Sequence, residues 1–595
     1  MIKVSDYIAK RLYELGAHHV FMVTGGGAMH LNDSFARSQP FKVLYQHHEQ
    51  ACAIAAEGLY RANGGVGIVN ITTGPGGLNT LTGVMGQWTD SIPAIYVSGQ
   101  VKQTTTVESC RELPLRQLGD QEVDIIPVVK PLVKYAVSIT DPKRVRLEVE
   151  KAFHAAVSGR KGPVWIDVPM DVQGALVDEE TLVGHAIPAA PRGGADIGRI
   201  MELLRTSKRP VVVTGHGIRL SGQVAQAREF LEILGVPAVS TFNGYDVLPN
   251  AHPSYCGRIG TIGNRAGNFT LQNADLILFL GTRNNVRQIS YNWENFAHRA
   301  TTVAIDIDPA ELAKPTFHPD HAFVADLKDV LPELLEAARS EAPVAGRAEW
   351  LAWCRKRLEL HPVVRPEHLH EAERINPYPF VETFTQGLPE DATVVAGNGT
   401  ACVVLFQAGI AKASQRTFWN SGCASMGFDL PAAIGAAVAK EGTVWCLAGD
   451  GSLQMNLQEL ATVAHNGLAL KLVYLDNGGY ASIRQTQTNF FKSQYGCGIT
   501  SGLGFPDMEK LAAAYGIRYV RTTRLEDVAA HQALVAEGLD PVIWDVKLKL
   551  DYSFEPKLSS EKLPDGRIVS KPLEDMFPFL SREDFAANIH PDVRG

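Results

Sequence analysis

The chain has 595 residues, 45% hydrophobic and 20% charged, enough apolar material for several cores, with length setting a prior of about four folding units. Its 56 Lys and Arg against 64 Asp and Glu leave a net charge of −8 without long runs of one sign, so nucleic acid is excluded as a partner. The longest apolar stretches, such as Ala274 to Gly281, fall far short of the roughly 20 residues a membrane helix needs, which excludes a spanning protein.

From the start, Ser5 reads as the cap of a helix that Gly16 ends, with Asp6 and Glu14 where a signal peptide is apolar; this predicts a cytoplasmic protein. Three blocks then alternate apolar strand runs with helical patterns, the signature of parallel sheets covered by helices. The first, 1–175, has KVLYQ, VGIVNIT, PAIYVSG and PVWIDVP as strands. A polar stretch over Asp178 to Asp196 ends it. The second, 193–345, has RPVVVTG, PAVSTF, ADLILFLG and TTVAIDID, with Pro309 opening a helix after the last. A charged helix containing tryptophan and a Pro-rich stretch, 361–380, lead to the third, 376–550, whose strands are TVVAGN, TVWCLAGDG, LKLVYLDN and PVIWDVK. The tail, 551–595, has little periodicity and is too polar for a core of its own. The fold class is thus α/β, three doubly wound parallel-sheet domains plus a tail. The eight cysteines are scattered without a CxxC pair, which fits reduced thiols and removes disulfide and zinc-thiolate chemistry.

Chemistry concentrates at strand ends. Gly449-Asp450-Gly451-Ser452 closes TVWCLA, and 24 residues further on Asp476-Asn477 closes LKLVYL. Glycines let backbone approach a phosphate, the helix expected from Leu453 onward offers free N–H groups, and Asp450 with the Asn477 amide oxygen suits a hard, octahedral Mg²⁺. The pair resembles the thiamine diphosphate motif, with Asp476 in place of its first asparagine. That resemblance implies Asp450, Asn477 and Gly479 as metal ligands and Gly449, Gly451 and Ser452 as diphosphate contacts.

The segment Phe41 to Gly58 resembles the strand-to-helix unit that carries the cofactor-activating glutamate, and places it at Glu49. A carboxylate there faces the aminopyrimidine and sets up removal of the C2 proton. His47, His48 and His30 are supporting candidates. Ser421 to Gly435 resembles the family segment in which a bulky residue bends the cofactor; the match is Met426, with the Ala424 carbonyl as acceptor for the 4′-amine. Gly399 and Thr400 stand where relatives hold the diphosphate with Gln and His, and those side chains are missing. Ile71 to Thr80, Asp90 to Gln100, Gln121 to Asp124 and Gly162 to Pro169 resemble acetolactate synthase, which makes Gly25, Gly26 and Gln121 candidates for the catalytic pocket wall. The middle block resembles the flavin domain of the same enzymes, with Gly215, Gly217, Thr241, Phe242, Gly281, Arg283 and Asp306 at FAD-holding positions.

One departure concerns the acceptor. Where acetolactate synthase carries a pocket-narrowing tryptophan, the loop here has Thr486, opening volume and adding a hydroxyl. With the long tail, this resembles the flavin-containing carboligases of branched-chain sugar (yersiniose-type) biosynthesis. The resemblance implies decarboxylation of pyruvate and transfer of its acetyl unit to a ketone such as a keto-sugar nucleotide or diketone. The alternatives are acetolactate synthesis with a second pyruvate and a pyruvate oxidase-like flavin reaction. It also implies a homodimer or homotetramer with active sites between subunits; the role of Arg484 stays open.

Overall fold

A computed structural model describes residues 1–188, 193–369, 373–562 and 565–593. Parts of the two expected linkers, 178–196 and 361–380, and of the tail lie outside the described residues.

Three six-stranded, all-parallel sheets carry the architecture. The first contains β1 (His19–Met22), β2 (Lys42–Tyr45), β3 (Gly67–Ile71), β4 (Ala94–Gln100), β5 (Tyr135–Ser138) and β6 (Val164–Pro169), in the order β2-β1-β3-β4-β6-β5. The second contains β7 (Pro210–Thr214), β8 (Ala238–Ser240), β9 (Tyr255–Arg258), β10 (Leu276–Leu280), β11 (Thr301–Asp306) and β12 (His321–Val324), in the order β9-β8-β7-β10-β11-β12. The third contains β13 (Thr393–Ala396), β14 (Arg416–Phe418), β15 (Val444–Gly449), β16 (Leu470–Asp476), β17 (Arg518–Thr522) and β18 (Val542–Lys547), in the order β14-β13-β15-β16-β18-β17. The outer two sheets share one topology, and the middle one has the order of dinucleotide-binding sheets. In each, the chain leaves its starting strand toward one edge and then crosses back to build toward the other, and at that reversal the strand ends leave a crevice. The reversal points are β1/β3, β7/β10 and β13/β15.

Length suggested about four units; three sheets form instead, because the tail contributes its apolar residues to cores that already exist. Phe554 joins the core of the third domain, and Leu573 that of the second. The Asn268 amide donates to the Leu573 carbonyl at 3.0 Å, and the Arg265 guanidinium to the Met576 carbonyl at 3.0 Å. The tail also forms a short antiparallel pair, Ser560–Lys562 with Ile568–Ser570, and a helix, Arg582–Ala587.

The first and third domains share a core through two alanine-rich helices, α1 (Glu49–Asn63) and α2 (Asp429–Ala439). Gly58 of α1 faces the Ala432 carbonyl, and Gly435 of α2 faces the Ala55 carbonyl, so small residues let the two backbones touch. At the N-terminus the expected cap is corrected. The helix runs Val4–Glu14 with Lys3 before it, and Ser5 lies inside it, buried, its hydroxyl accepting from Ser34 at 2.9 Å. A serine that finds a buried partner across two helices is worth more there than as an exposed cap.

Candidate active site

In the third domain, the reversal point brings together the ends of β13 and β15, with β16 beside them. The helix after β15 begins at Asp450 rather than Leu453, so Asp450, Gly451 and Ser452 form its first turn. The Asp450 carboxylate accepts from Gly451 N–H at 2.8 Å and from Gly479 N–H at 2.8 Å. It is buried, and burial pushes its pKa up to about 7 against those two bonds. A buried carboxyl served only by amides is a group a divalent cation would ionise and stabilise. Among the described residues no three His, Cys, Asp or Glu side chains come together to hold a metal. The set at hand, one carboxylate, one amide and the Gly479 backbone, fits a hard cation that takes its remaining oxygens from phosphate and water.

Asn477 departs from expectation. Its amide oxygen accepts from Thr400 at 3.2 Å and from the tail residue Tyr552 at 2.9 Å, while its nitrogen donates to the Leu475 carbonyl at 3.0 Å. The two lone pairs of that oxygen therefore meet two hydroxyls. Asp476 faces away, paired with Arg374 at 3.0 Å and Lys547 at 2.6 Å, which explains how an acid is tolerated at this position. Arg484 donates to the Asn477 carbonyl at 2.9 Å. Gly399 precedes α3 (Thr400–Ala408), whose first turn points Thr400 at this cluster.

The loop before α2 is held from three sides. Asn420 accepts from Cys423 and Ala424 N–H at 3.1 and 3.2 Å, Asp90 of the first domain accepts from Ser421 and Gly422 N–H at 3.1 Å each, and Ser452 accepts from Gly427 N–H at 2.9 Å. These anchors keep Ala424 at φ 53°, a left-handed conformation that alanine rarely takes. Met426 is left 38% exposed on a half-buried loop, as a side chain that contacts a ligand would be. The Ser425 hydroxyl and the Gln454 amide nitrogen are each buried without a protein partner. A bound polar group would satisfy them.

Glu49 opens α1, where the His48 ring accepts from Gln50 N–H at 3.1 Å; His48 is thus a helix cap. The Glu49 carboxylate accepts from Asn79 at 2.9 Å. Around it the loop after β3 is tightly packed. Gly76 abuts Glu49, Gly74 abuts the Gln121 carbonyl, and Gly25 abuts Thr72. Gln121 has φ 61°, and Gly26 faces open space. The His47 backbone N–H donates to Glu459 at 3.0 Å, and the His30 ring lies against Gly174. The two domains meet within one chain. Asn456 donates to Gln50 at 3.0 Å and to the Gly427 carbonyl at 2.8 Å, placing the residue after Glu49 beside the residue after Met426.

The middle domain holds a cavity of about 440 Å³ at its reversal point. Gly217, Thr241, Phe242, Gly281, Arg283 and Asp306 line it, and Gly215 lies directly behind, its Cα packed on the Gly281 carbonyl. Burial raises Asp306 to about 6. The His216 ring, also on the wall, has both nitrogens buried without a protein partner, and burial, assisted by the Arg61 charge, lowers its pKa to about 3. Asp90 and Ser421 complete the wall from the other two domains.

Thr486 corrects the acceptor argument. It is not on a loop but on α4 (Ala481–Phe491), exposed, with its hydroxyl donating to the Ser482 carbonyl at 3.0 Å. Its polar group is thus consumed by its own helix. Sequence reasoning missed Asp90, Asn420, Asn456 and Tyr552. Asp90 and Asn420 flank motifs that were recognised, whereas Asn456 and Tyr552 carry no local signal.

Comparison with known proteins agrees with this geometry. The N-terminal TPP binding domain of thiamine pyrophosphate enzymes matches residues 2–126, their central domain 197–334, and their C-terminal TPP binding domain 397–546. The acetolactate synthase large subunit of Lactococcus lactis is 30% identical over 547 residues, covering 91% of this chain and 92% of that protein. The isozyme 2 large subunit of Escherichia coli is 31% identical over 532 residues, 88% and 92% of the two chains, and the acetolactate synthase of Mycobacterium avium is 32% identical over 535 residues, 88% and 83%. With its three sheets and the glycine-lined ends of β1, β3, β13 and β15, the chain belongs to the thiamine pyrophosphate enzymes of the acetolactate synthase-like kind.

Proposed function

We propose that the protein uses thiamine diphosphate and Mg²⁺ to decarboxylate pyruvate and transfers the two-carbon acetyl unit to an acceptor ketone. The observation that supports this reading is the strand-end cluster in which the Asp450 carboxylate accepts from Gly479 N–H and Thr400 reaches Asn477, with Glu49 expected to face such a cluster across the interface between two subunits. Thiamine diphosphate held there would supply the nucleophilic carbon and the electron sink that decarboxylation of a 2-keto acid needs. The chain's residues do the rest. Glu49 holds a proton at the aminopyrimidine, the Ala424 carbonyl accepts from its amine, and Met426 fixes its bend. Asp450, Asn477 and the Gly479 carbonyl hold the metal, and Gly449, Gly451, Ser452, Gly399 and Thr400 lie along the diphosphate. Gly25, Gly26 and Gln121 wall the substrate side and exclude water.

FAD in the middle cavity is part of the proposal, supported by the unpartnered His216 nitrogens and by the close approach of Gly215 and Gly217 to Gly281, which clears room for a dinucleotide. Residues 193–345 form its domain, between the pyrimidine domain at 1–175 and the diphosphate domain at 376–550. A homodimer or homotetramer is the proposed working unit, supported by Met85, Trp88 and Met455, large side chains left exposed on one chain. Eight unbridged cysteines, six of them buried, support a reducing cytoplasm. For the acceptor, a keto sugar of the yersiniose-type route is supported by the added tail alone, while a second pyruvate is favoured by the names of the relatives.

Mass-spectrometric product analysis with pyruvate and a panel of ketones tests the reading, and mixed products with the larger ketones are expected. Acetolactate as sole product would reassign the acceptor to pyruvate. Stoichiometric flavin bleaching by pyruvate without oxygen would replace the ligase by an oxidase.

A further inference from the structure

The tail residue Tyr552 lies beyond the matched diphosphate domain, which stops at 546, yet its hydroxyl reaches the end of β16. It is held there firmly. Phe554 is buried in the third-domain core, its ring 5.8 Å from that of Tyr552, and Glu555 N–H donates to the Tyr378 hydroxyl at 2.6 Å. Tyr552 touches Asn477 at 2.9 Å and also touches Thr400, which itself reaches Asn477 at 3.2 Å. These three oxygens make three mutual contacts with two protons among them, so one contact has no hydrogen to share. Moving the tyrosine hydroxyl away, to an acceptor brought by a ligand, removes the contact that lacks a hydrogen and leaves Thr400 to donate to Asn477.

The surroundings define that acceptor. Thr400, in the first turn of α3, and the Arg484 guanidinium both reach Asn477, one at its amide oxygen and one at its carbonyl, so the site favours an anion beside a cation. Thr400 and Gly399 have short side chains, and the tyrosine brings a longer donor to the same place.

We propose that Tyr552 is a diphosphate-binding residue, turning its hydroxyl from Asn477 to a terminal phosphate oxygen of the cofactor and freeing the Asn477 oxygen for the metal. This rests on the thiamine diphosphate reading. It makes the tail part of the cofactor site rather than an appendage.

Calorimetry with wild type and Tyr552→Phe, using Mg²⁺ with inorganic pyrophosphate and Mg²⁺ with thiamine diphosphate, tests it. The phenylalanine keeps the ring against Phe554, so the variant should fold, with only a modest fall in the unfolding midpoint without ligand for the lost hydroxyl contacts. Affinity for both probes should fall together, by about tenfold or more, as for loss of a donor to a charged oxygen. Unchanged affinity, or affinity that rises because the tyrosine was merely blocking Asn477, would overturn the proposal while leaving the cofactor reading intact. A wild type that binds neither probe would remove the cofactor reading and the proposal with it.

Discussion

Gly435→Ala is the sharpest test of how the two halves of the site are joined. By helix propensity alone the substitution should help, since alanine is favoured over glycine inside a helix by about 1 kcal/mol. The structure reverses the sign. A Cβ at Gly435 would lie 1.9 Å from the Ala55 carbonyl oxygen, and one at Gly58 would lie 2.1 Å from that of Ala432. To reach ordinary contact the facing helix has to retreat by about 1.5 Å, and forcing backbone apart in a packed core costs about 1–3 kcal/mol. The propensity gain offsets only part of that. The functional cost is larger, because α1 carries Glu49 at its start and moves as a rigid body. A misplacement of about 1 Å between reacting groups is worth roughly 10²-fold in rate. Pyruvate turnover at saturating cofactor should therefore drop by about two orders of magnitude, with a modest fall in the thermal midpoint. Gly194→Ala, where a Cβ meets nothing within 4 Å, serves as the control and should behave as wild type. Wild-type turnover in Gly435→Ala would refute the idea that this crossing sets the catalytic geometry.

Three further outcomes are expected. Glu49→Gln keeps size and removes the charge at the aminopyrimidine, so turnover should fall by about 10²–10⁴-fold with the fold intact by circular dichroism; full activity would discard the assignment. Asp450→Ala should abolish Mg²⁺-dependent retention of thiamine diphosphate through gel filtration, and normal occupancy in the variant would place the metal elsewhere. Asp167, buried between Ser98 and Ser138, is raised to about 7 by burial, which outweighs both hydroxyl bonds. Its folded pKa lies above the unfolded one, so the folded state keeps a proton between about pH 4 and 7 and stability drops as pH rises through that window. Asp167→Asn should flatten this decline in the thermal midpoint, and an identical decline in the variant would contradict the assignment.

How much was legible in the sequence follows from where each signal resides. The long strands of the sheet interiors are buried on both faces and read as continuous apolar runs, so β3, β4, β6, β7, β10, β11, β15, β16 and β18 were each expected close to where they lie. Most missed strands are edges. β5 and β12 are half-exposed, and β14 has three residues, so neither an apolar run nor strict alternation marks them. The internal β1 escaped because its four residues begin with a histidine.

The site divides in the same way. Sequence by itself determined that Gly449 to Ser452, Asp476-Asn477, the Glu49 segment and the Ser421 to Gly435 segment sit at strand ends and helix starts, because such positions work through backbone that only certain local residues permit. Only the tertiary structure decided that Asp476 is spent on Arg374 and Lys547, that Thr486 is turned to its own helix, that Asp90 holds the loop of Ser421, and that Tyr552 meets Thr400 across 152 positions of chain. A hydrogen bond between distant residues leaves no periodicity in either segment; it exists because packed helices and a buried Phe554 bring the two ends together.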